Sequence, residues 1–321
     1  MLSVVTPAFN EAENLPILYS RLSTVLSECD AEWEWIIVDD HSRDTTFQVI
    51  TDMAVKDNRV KGLRLSRNFG SHAALLCGME KAKGNGVICM SGDGQDPPEI
   101  ILRLVEKWRN GVQVVWAARE ARADATQDNI MSSLYWLMMR NMSGMEDTPA
   151  KGADFFLIDE VVVSALKGLQ ERNMSVLALI TWMGFRQDRI FYARQKRLGG
   201  TSGWTLSKKI KLVIDSIIGF SYLPMRAMAL IGALTVTSGL LCALLAVSFA
   251  IAGHPIEGVG LLLMVVLVLG GIQMLMISVQ GEYLWRTLEE SRRRPRYLIE
   301  TATQNAQAPP SLGEPTRTHK T

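Results

Sequence analysis

The chain has 321 residues, with 34 Lys and Arg against 33 Asp and Glu and a formal net charge of +1, so it lacks the strongly basic footprint of a general nucleic-acid binder. It is longer than one ordinary domain, and nearly all of its charges lie before Arg226 or after Gly281. Cys29, Cys77, Cys89 and Cys242 show no C-x-x-C spacing, which argues against a structural zinc or a disulfide framework and for small buried thiols in a reducing compartment.

In chain order, Leu2 to Thr6 is a short β-branched run ending in Pro7-Ala8-Phe9-Asn10-Glu11. No charged leader precedes it, so the part that follows is expected to be cytosolic. Leu15, Leu18, Tyr19, Leu22 and Leu26 then recur at helical spacing. A second run, Trp35 to Val38, ends in Asp39-Asp40-His41-Ser42-Arg43-Asp44, and a third, Val60 to Leu65, ends in Ser66-Arg67-Asn68-Phe69-Gly70. Gly86 to Met90 is a fourth, followed by Ser91-Gly92-Asp93-Gly94-Gln95-Asp96-Pro97-Pro98-Glu99. Strands alternating with helices predict an α/β sheet whose polar strand ends converge on one rim. Open α/β sheets bind ligands at the carboxyl ends of their strands, where Asp93 falls. Asp-Gly followed by Pro-Pro is also a common surface turn, and Ser42 or Asp44 also suits a helix N-cap.

Further along, Ile130 to Met139, with Tyr135 and Trp136, is apolar over more than half of its helical face. Leu206, Ile210, Val213, Ile214, Ile217 and Ile218 repeat at helical spacing, with Lys208, Lys209, Lys211 and Asp215 opposite. Such helices either pack on protein or lie in a membrane interface and hold cations near lipid headgroups. Residues 227–252 and 258–281 are charge-free runs of 26 and 24, each above the roughly 20 residues that span a bilayer. Arg197, Lys208, Lys209, Lys211 and Arg226 precede the first run and Arg286, Arg292, Arg293, Arg294 and Arg296 follow the second, whereas Gly253-His254-Pro255-Ile256-Glu257 has no Lys or Arg. The positive-inside bias predicts a multi-pass protein of the inner, cytoplasmic membrane with both termini and the catalytic part cytosolic. From Thr301 the chain is Pro-, Thr- and Gln-rich without apolar periodicity, and a disordered tail is expected there.

Val4-Val5-Thr6-Pro7-Ala8-Phe9-Asn10-Glu11, Val38-Asp39-Asp40-His41-Ser42, Arg67-Asn68-Phe69-Gly70, Gly92-Asp93-Gly94-Gln95-Asp96-Pro97-Pro98-Glu99 and Arg194-Gln195-Lys196-Arg197 with Gly200 and Ser202 together resemble the family 2 glycosyltransferases. The chain looks like the membrane-bound branch that moves a sugar from a nucleotide to polyprenyl phosphate, the dolichyl- and undecaprenyl-phosphate sugar transferases. The resemblance runs from residue 2 to about residue 285. It implies a GT-A-type, nucleotide-sugar-binding, Rossmann-like mixed sheet over 1–204, an interfacial amphipathic helix over 205–226, a transmembrane hairpin over 227–285 and a basic flank with a tail over 286–321.

The same resemblance assigns Pro7, Ala8, Asn10, Glu11, Asp39, Asp40 and Gly92 to the nucleotide. Asp93 and Gln95 match the strand-end motif that ligates Mg²⁺ or Mn²⁺ through the donor phosphates, with Asp96 available to assist. Ser91 stands where that motif usually carries a further Asp. Arg194 and Arg197 match the basic motif suited to the acceptor phosphate, joined by Ser202, Lys208 and Lys209, since guanidinium forks fit phosphate oxygens bidentately. Arg119 and Arg122 match an Arg-x-x-Arg pair. Asp154 is placed to contact the sugar or orient an arginine, while Phe156 replaces an Arg common in relatives.

What the resemblance implies is inverting transfer from a nucleotide sugar, with UDP preferred to GDP, to a polyprenyl phosphate such as undecaprenyl phosphate. Its partners are then membrane lipid, a flippase and a downstream glycosyltransferase, and a homo-oligomer is compatible with it. Three alternatives compete. A processive polysaccharide synthase would need a Gln-x-x-Arg-Trp motif and more spans. A dinucleotide oxidoreductase would need a glycine-rich first turn. A non-catalytic membrane module that binds nucleotide sugar or organises a flippase is prompted by Ser91 and Phe156.

Overall fold

The computed structural model describes residues 1–119, 154–169, 175–193, 223–253, 258–292 and 294–306. Arg122, the stretch 130–139, Arg194, Arg197, Gly200, Ser202, Lys208, Lys209, Lys211 and the connection 254–257 lie outside the described residues.

The first half alternates as the sequence predicts: β1 (Leu2–Ala8), α1 (Asn14–Glu28), β2 (Trp33–Asp39), α2 (Thr46–Lys56), β3 (Val60–Leu65), α3 (Ser71–Lys81), β4 (Gly86–Cys89), α4 (Ile100–Arg109) and β5 (Val114–Arg119). There follow β6 (Phe155–Asp159), α5 (Glu160–Gly168), α6 (Val176–Trp182) and β7 (Gln187–Tyr192), then two long helices, α7 (Leu223–Ile251) and α8 (Val259–Ser291), and a short strand, β8 (Ile299–Ala302). The strands among the described residues form one sheet in the order β7-β5-β6-β4-β1-β2-β3-β8.

The sheet is mixed. Strands β4, β1, β2 and β3 run parallel, β6 runs antiparallel to both β4 and β5, and β7 is parallel to β5. This arrangement brings the carboxyl ends of β1 to β5 and β7, and the amino end of β6, to a single edge. The central strands are buried on both faces, which is why β1 and β2 read as nearly continuous apolar runs without alternation. On one face Val4, Trp35, Ile37 and Ile88 pack against Leu15, Leu18 and Leu22 of α1 and Ile101, Leu104 and Val105 of α4. On the other, Val5, Ile36, Val38 and Leu63 meet Ala74 and Leu75 of α3, Val162 and Leu166 of α5, and Leu179 and Ile180 of α6. A Cβ on Gly78 would stand 2.3 Å from Cγ1 of Val5, so α3 lies close enough to β1 that only hydrogen fits there.

Glu34 on β2 is 1 % exposed and is fully engaged. Oε1 accepts from Ser3 Oγ at 2.6 Å and from the Lys83 amide at 2.8 Å, and Oε2 pairs with the Lys61 ammonium. Burial pushes its carboxyl up, but Lys61, Ser3 and Lys83 outweigh burial and hold it below the usual carboxylate range.

Over residues 301–306 the structure departs from the expected disordered tail, and residues 307–321 lie outside the described residues. Residues 299–302 form β8, antiparallel to β3, and Thr303 and Ala306 are 7 % and 8 % exposed. Gly62 donates its N–H to Thr303 Oγ1 at 2.9 Å, and Asn305 Nδ2 donates to Val60 O at 2.7 Å. Edge strands need partners, and β3 finds one in a stretch whose apolar content is too low to predict a strand. The chain divides into two compact units, and the segment from Pro295 belongs to the sheet-bearing one.

In the other unit, α7 begins at Leu223 and α8 continues to Ser291, so both helices outrun the charge-free stretches. A Cβ on Gly232 of α7 would lie 3.0 Å from Met276 Cε of α8, which marks a close helix contact. Among the described residues, which exclude many side chains of α7 and α8, no helix is long and apolar enough to cross a membrane.

Candidate active site

The strand ends converge as expected. After β1 the backbone turns at Asn10, φ +58, an uncommon angle that Asn tolerates well. Asn10 bridges to the loop after β2: its amide donates to Ser42 Oγ at 2.9 Å, and its Oδ1 accepts from the Arg43 amide at 2.9 Å. The Glu11 amide donates to Thr46 Oγ1 at 2.9 Å. Asn10 and Glu11 therefore fasten the first loop to the second. Asp44 Oδ1 accepts from the Thr46 amide at 3.0 Å in the turn that leads into α2, whose N-cap residue is Thr45.

Asp39 and Asp40 are both buried, at 0 % and 3 % exposure, yet they differ. Asp40 accepts the Phe69 amide at 2.7 Å on Oδ1 and the Gly70 amide at 2.8 Å on Oδ2. It thus closes the Arg67-Asn68-Phe69-Gly70 loop over the sheet, with Gly70 at φ +95 supplying a turn that side chains resist. Burial raises the Asp40 carboxyl, assisted by the neighbouring Asp39 and opposed by the two amides and Arg67. Asp39 Oδ1 accepts from the Ser42 amide at 2.9 Å. Its Oδ2 is buried without a hydrogen bond among the described residues, and the Arg64 guanidinium lies 3.4 Å from it. Unfilled acceptor capacity in a buried carboxylate is rare and calls for a partner, so Asp39 can take a ligand N–H or O–H whereas Asp40 is already spent on the loop.

Gly92 packs tightly beneath β1, where a Cβ would come 3.3 Å from Thr6 Cγ2 and 3.4 Å from Pro7 O. This close approach brings Pro7, Ala8 and Gly92 together at one point of the edge. Asp93 is only 5 % exposed, and its Oδ1 accepts from the Gln95 amide at 3.2 Å in a tight turn that passes through Gly94 at φ +68. Asp96 accepts a 2.5 Å hydrogen bond from the Tyr192 hydroxyl at the end of β7. Burial, and then Asp96, push the Tyr192 hydroxyl upward. Arg119, at the end of β5, pairs with Asp154 at 3.0 Å before β6; burial opposes its charge, but Asp154, Tyr192 and Asp96 raise it. The structure therefore sets Tyr192 between Asp96, which its hydroxyl bonds, and Arg119, which pairs directly with Asp154; the sequence does not single out Tyr192. Tyr192 sits in an alternating strand where an aromatic suits ordinary packing, and its Phe155 contact, 6.0 Å and edge-on, has that character.

Phe156 packs in one of the two core clusters. It is fully buried against Trp116 at 5.1 Å, so the residue that replaces a common Arg belongs to the core. Among the described residues there is no cluster of three or more His, Cys, Asp or Glu side chains able to hold a metal.

The sequence matches the model of the family described as Glycosyl transferase family 2 over residues 3–165. The chain belongs to glycosyl transferase family 2. An uncharacterized glycosyltransferase of Synechocystis is 36 % identical over 300 residues, 93 % of this chain and 94 % of that protein. The bactoprenol glucosyl transferase of Shigella phage SfV is 33 % identical over 304 residues, 94 % of this chain and 99 % of its own. Among solved structures, the glucosyl-3-phosphoglycerate synthase of Mycobacterium tuberculosis in complex with Mn²⁺ and UDP-glucose shares 15 % identity at a TM-score of 0.49, covering 68 % of this chain and 77 % of that one. As a family 2 member the chain is a glycosyltransferase.

Proposed function

We propose that this glycosyltransferase moves a sugar from a nucleotide sugar, UDP-hexose by preference, to polyprenyl phosphate. The observation that carries the reading is the match to a bactoprenol glucosyl transferase along nearly the whole of both chains. The geometry supports the donor half: Asp39 offers a buried acceptor to base or ribose, and the Asn10 and Glu11 turn forms the adjoining wall.

A divalent cation, Mg²⁺ or Mn²⁺, fits Asp93 and Gln95 only if the donor diphosphate supplies most of its oxygens, because the described residues hold no three-carboxylate cluster. Mg²⁺ is commonly bound by one or two carboxylates plus substrate phosphates and water. When bound, such an ion would neutralise charge on the departing nucleotide diphosphate. The acceptor needs no obligatory base, since the second ionisation of a phosphate monoester lies near pH 6. Its oxygen attacks the anomeric carbon in line, the bond to the diphosphate breaks, and configuration inverts. Arg194 and Arg197, with Ser202, Lys208 and Lys209, are assigned to the acceptor phosphate on the family resemblance, and Asp154 to contacting the sugar or orienting an arginine, for which Arg119 is the neighbour at 3.0 Å.

The membrane hairpin belongs to the same proposal. Helices of 29 and 33 residues rise about 1.5 Å per residue, enough for a hydrocarbon core roughly 30 Å thick. Leu230, Leu234, Leu241 and Leu244 on α7 and Leu262, Val266 and Ile277 on α8 are exposed, as lipid-facing side chains would be. With catalysis on the cytosolic face, the product would require a separate flippase and a downstream transferase.

The decisive assay follows label from a small panel of UDP- and GDP-sugars into organic-extractable undecaprenyl phosphate. Wild type is expected to transfer from at least one donor. Asp93→Ala, or excess chelator, is expected to reduce transfer by about three orders of magnitude, and full activity in either would remove the metal from the scheme. Label that never enters the lipid phase would return the protein to the class of binding modules. Topology is read by external labelling of intact cells: a His254→Cys variant should react and a Thr301→Cys variant should not.

A further inference from the structure

Arg64 and Glu300 play no part in the scheme above, yet they meet at its most exacting point. Arg64 stands opposite Asp39 in the β2–β3 register. Its guanidinium donates two hydrogen bonds and makes one ion pair: Nη2 donates to Ser42 O at 3.3 Å, Nε donates to Glu300 Oε2 at 3.1 Å, and Nη1 lies 3.4 Å from Asp39 Oδ2 without a hydrogen bond. Glu300 belongs to β8 and comes from the far end of the chain. His41 lies beside the pair, its Nδ1–H donating to Leu65 O at 3.0 Å and standing 3.6 Å from Glu300 Oε2. Phe47 lies under the guanidinium, 5.7 Å from ring centroid to Arg64 Cζ.

A guanidinium beside a buried carboxylate ordinarily closes to a bidentate pair. Here Glu300 draws Nε the other way, so Arg64 compensates the charge of Asp39 without filling its second oxygen.

Resting on the nucleotide reading of Asp39, we propose that Arg64 and Glu300 are positioning residues that hold Asp39 oriented for the donor nucleotide, with its second oxygen left without a hydrogen bond. The C-terminal strand β8 thereby sets donor affinity. Released from Glu300, Arg64 would turn onto Asp39 Oδ2 and compete with the ligand. Replaced by a shorter, single-headed cation, it could not span all three oxygens.

Calorimetric titration of the full-length protein with UDP and with GDP tests this, alongside donor KM and kcat. Glu300→Ala is expected to weaken binding of the preferred nucleotide five- to tenfold and to raise donor KM with kcat little changed. Arg64→Lys should do the same. Adding Arg64→Ala to Glu300→Ala should cost less than the sum of the single changes, because the competitor for Asp39 is gone. Thr303→Ala supplies the structural control, since Thr303 pins β8 to Gly62 without touching Arg64; it should lower the melting temperature and leave nucleotide affinity within twofold. An unchanged affinity in Glu300→Ala would overturn the proposal, as would an equal loss in Thr303→Ala. Wild type that binds neither nucleotide would instead bring down the reading of Asp39, and the proposal with it.

Discussion

Two buried carboxylates on β2, Glu34 and Asp39, share a strand, a sheet and nearly complete burial, at 1 % and 0 % exposure, yet they sit in opposite chemical states. Glu34, near the amino end, has both oxygens filled by Ser3, Lys83 and Lys61. Asp39, at the carboxyl end, has one oxygen filled by Ser42 and the other facing Arg64 without a hydrogen bond among the described residues. A saturated buried ion is a structural fixture. An under-filled one stores recognition capacity that a ligand can use, and the difference lies in which neighbours the fold brings.

The contrast can be broken by exchanging the roles. Glu34→Ala leaves Lys61 and Ser3 without their buried partner and should cost about 3 kcal/mol of stability, read by denaturant unfolding of the purified protein, with nucleotide affinity of the folded fraction unchanged. Asp40→Ala, next to Asp39 but saturated like Glu34, should cost about 2 kcal/mol through the stranded Phe69 and Gly70 amides. If its unfolding midpoint does not move, Asp40 is not the loop anchor described here. Asp39→Asn is expected to show the reverse signature: nucleotide binding weakened about tenfold, with an unfolding midpoint close to wild type. A large stability loss there would place Asp39 in the same class as Glu34.

Acid sharpens the same comparison. Because the Glu34 carboxyl is held below its ordinary range, its stabilising contribution is fully present above the unfolded value of roughly 4.3 and is lost as pH falls through the lower folded value. The stability gap between wild type and Glu34→Gln should be constant at neutral pH and narrow below about pH 4. A gap that persists in acid would mean the charge is not what stabilises. The smallest effect is expected at Tyr192→Phe, which deletes the hydroxyl bonded to Asp96: transfer should fall about fivefold while nucleotide affinity stays put. Equal losses in both would move Tyr192 to the donor side of the edge.

By itself the sequence determined the strand and helix alternation of the first hundred residues, because strands buried on both faces must be apolar throughout and loops at their ends must be polar. Short motifs at those ends, Asn10-Glu11, Asp39-Asp40 and Gly92 to Asp96, located the edge where the polar strand ends converge for the same reason. Only the tertiary structure separated Asp39 from Asp40 and Glu34, since a hydrogen-bond inventory depends on groups distant in the chain: Lys83 for Glu34, Phe69 and Gly70 for Asp40, Arg64 for Asp39. Tyr192 and Glu300 were invisible for that reason too. Each acts across 96 or 236 positions, on Asp96 and Arg64 respectively, and no local pattern encodes such a contact. The strand that carries Glu300 was missed because β8 is specified less by its own four residues than by the open edge of β3 that it completes.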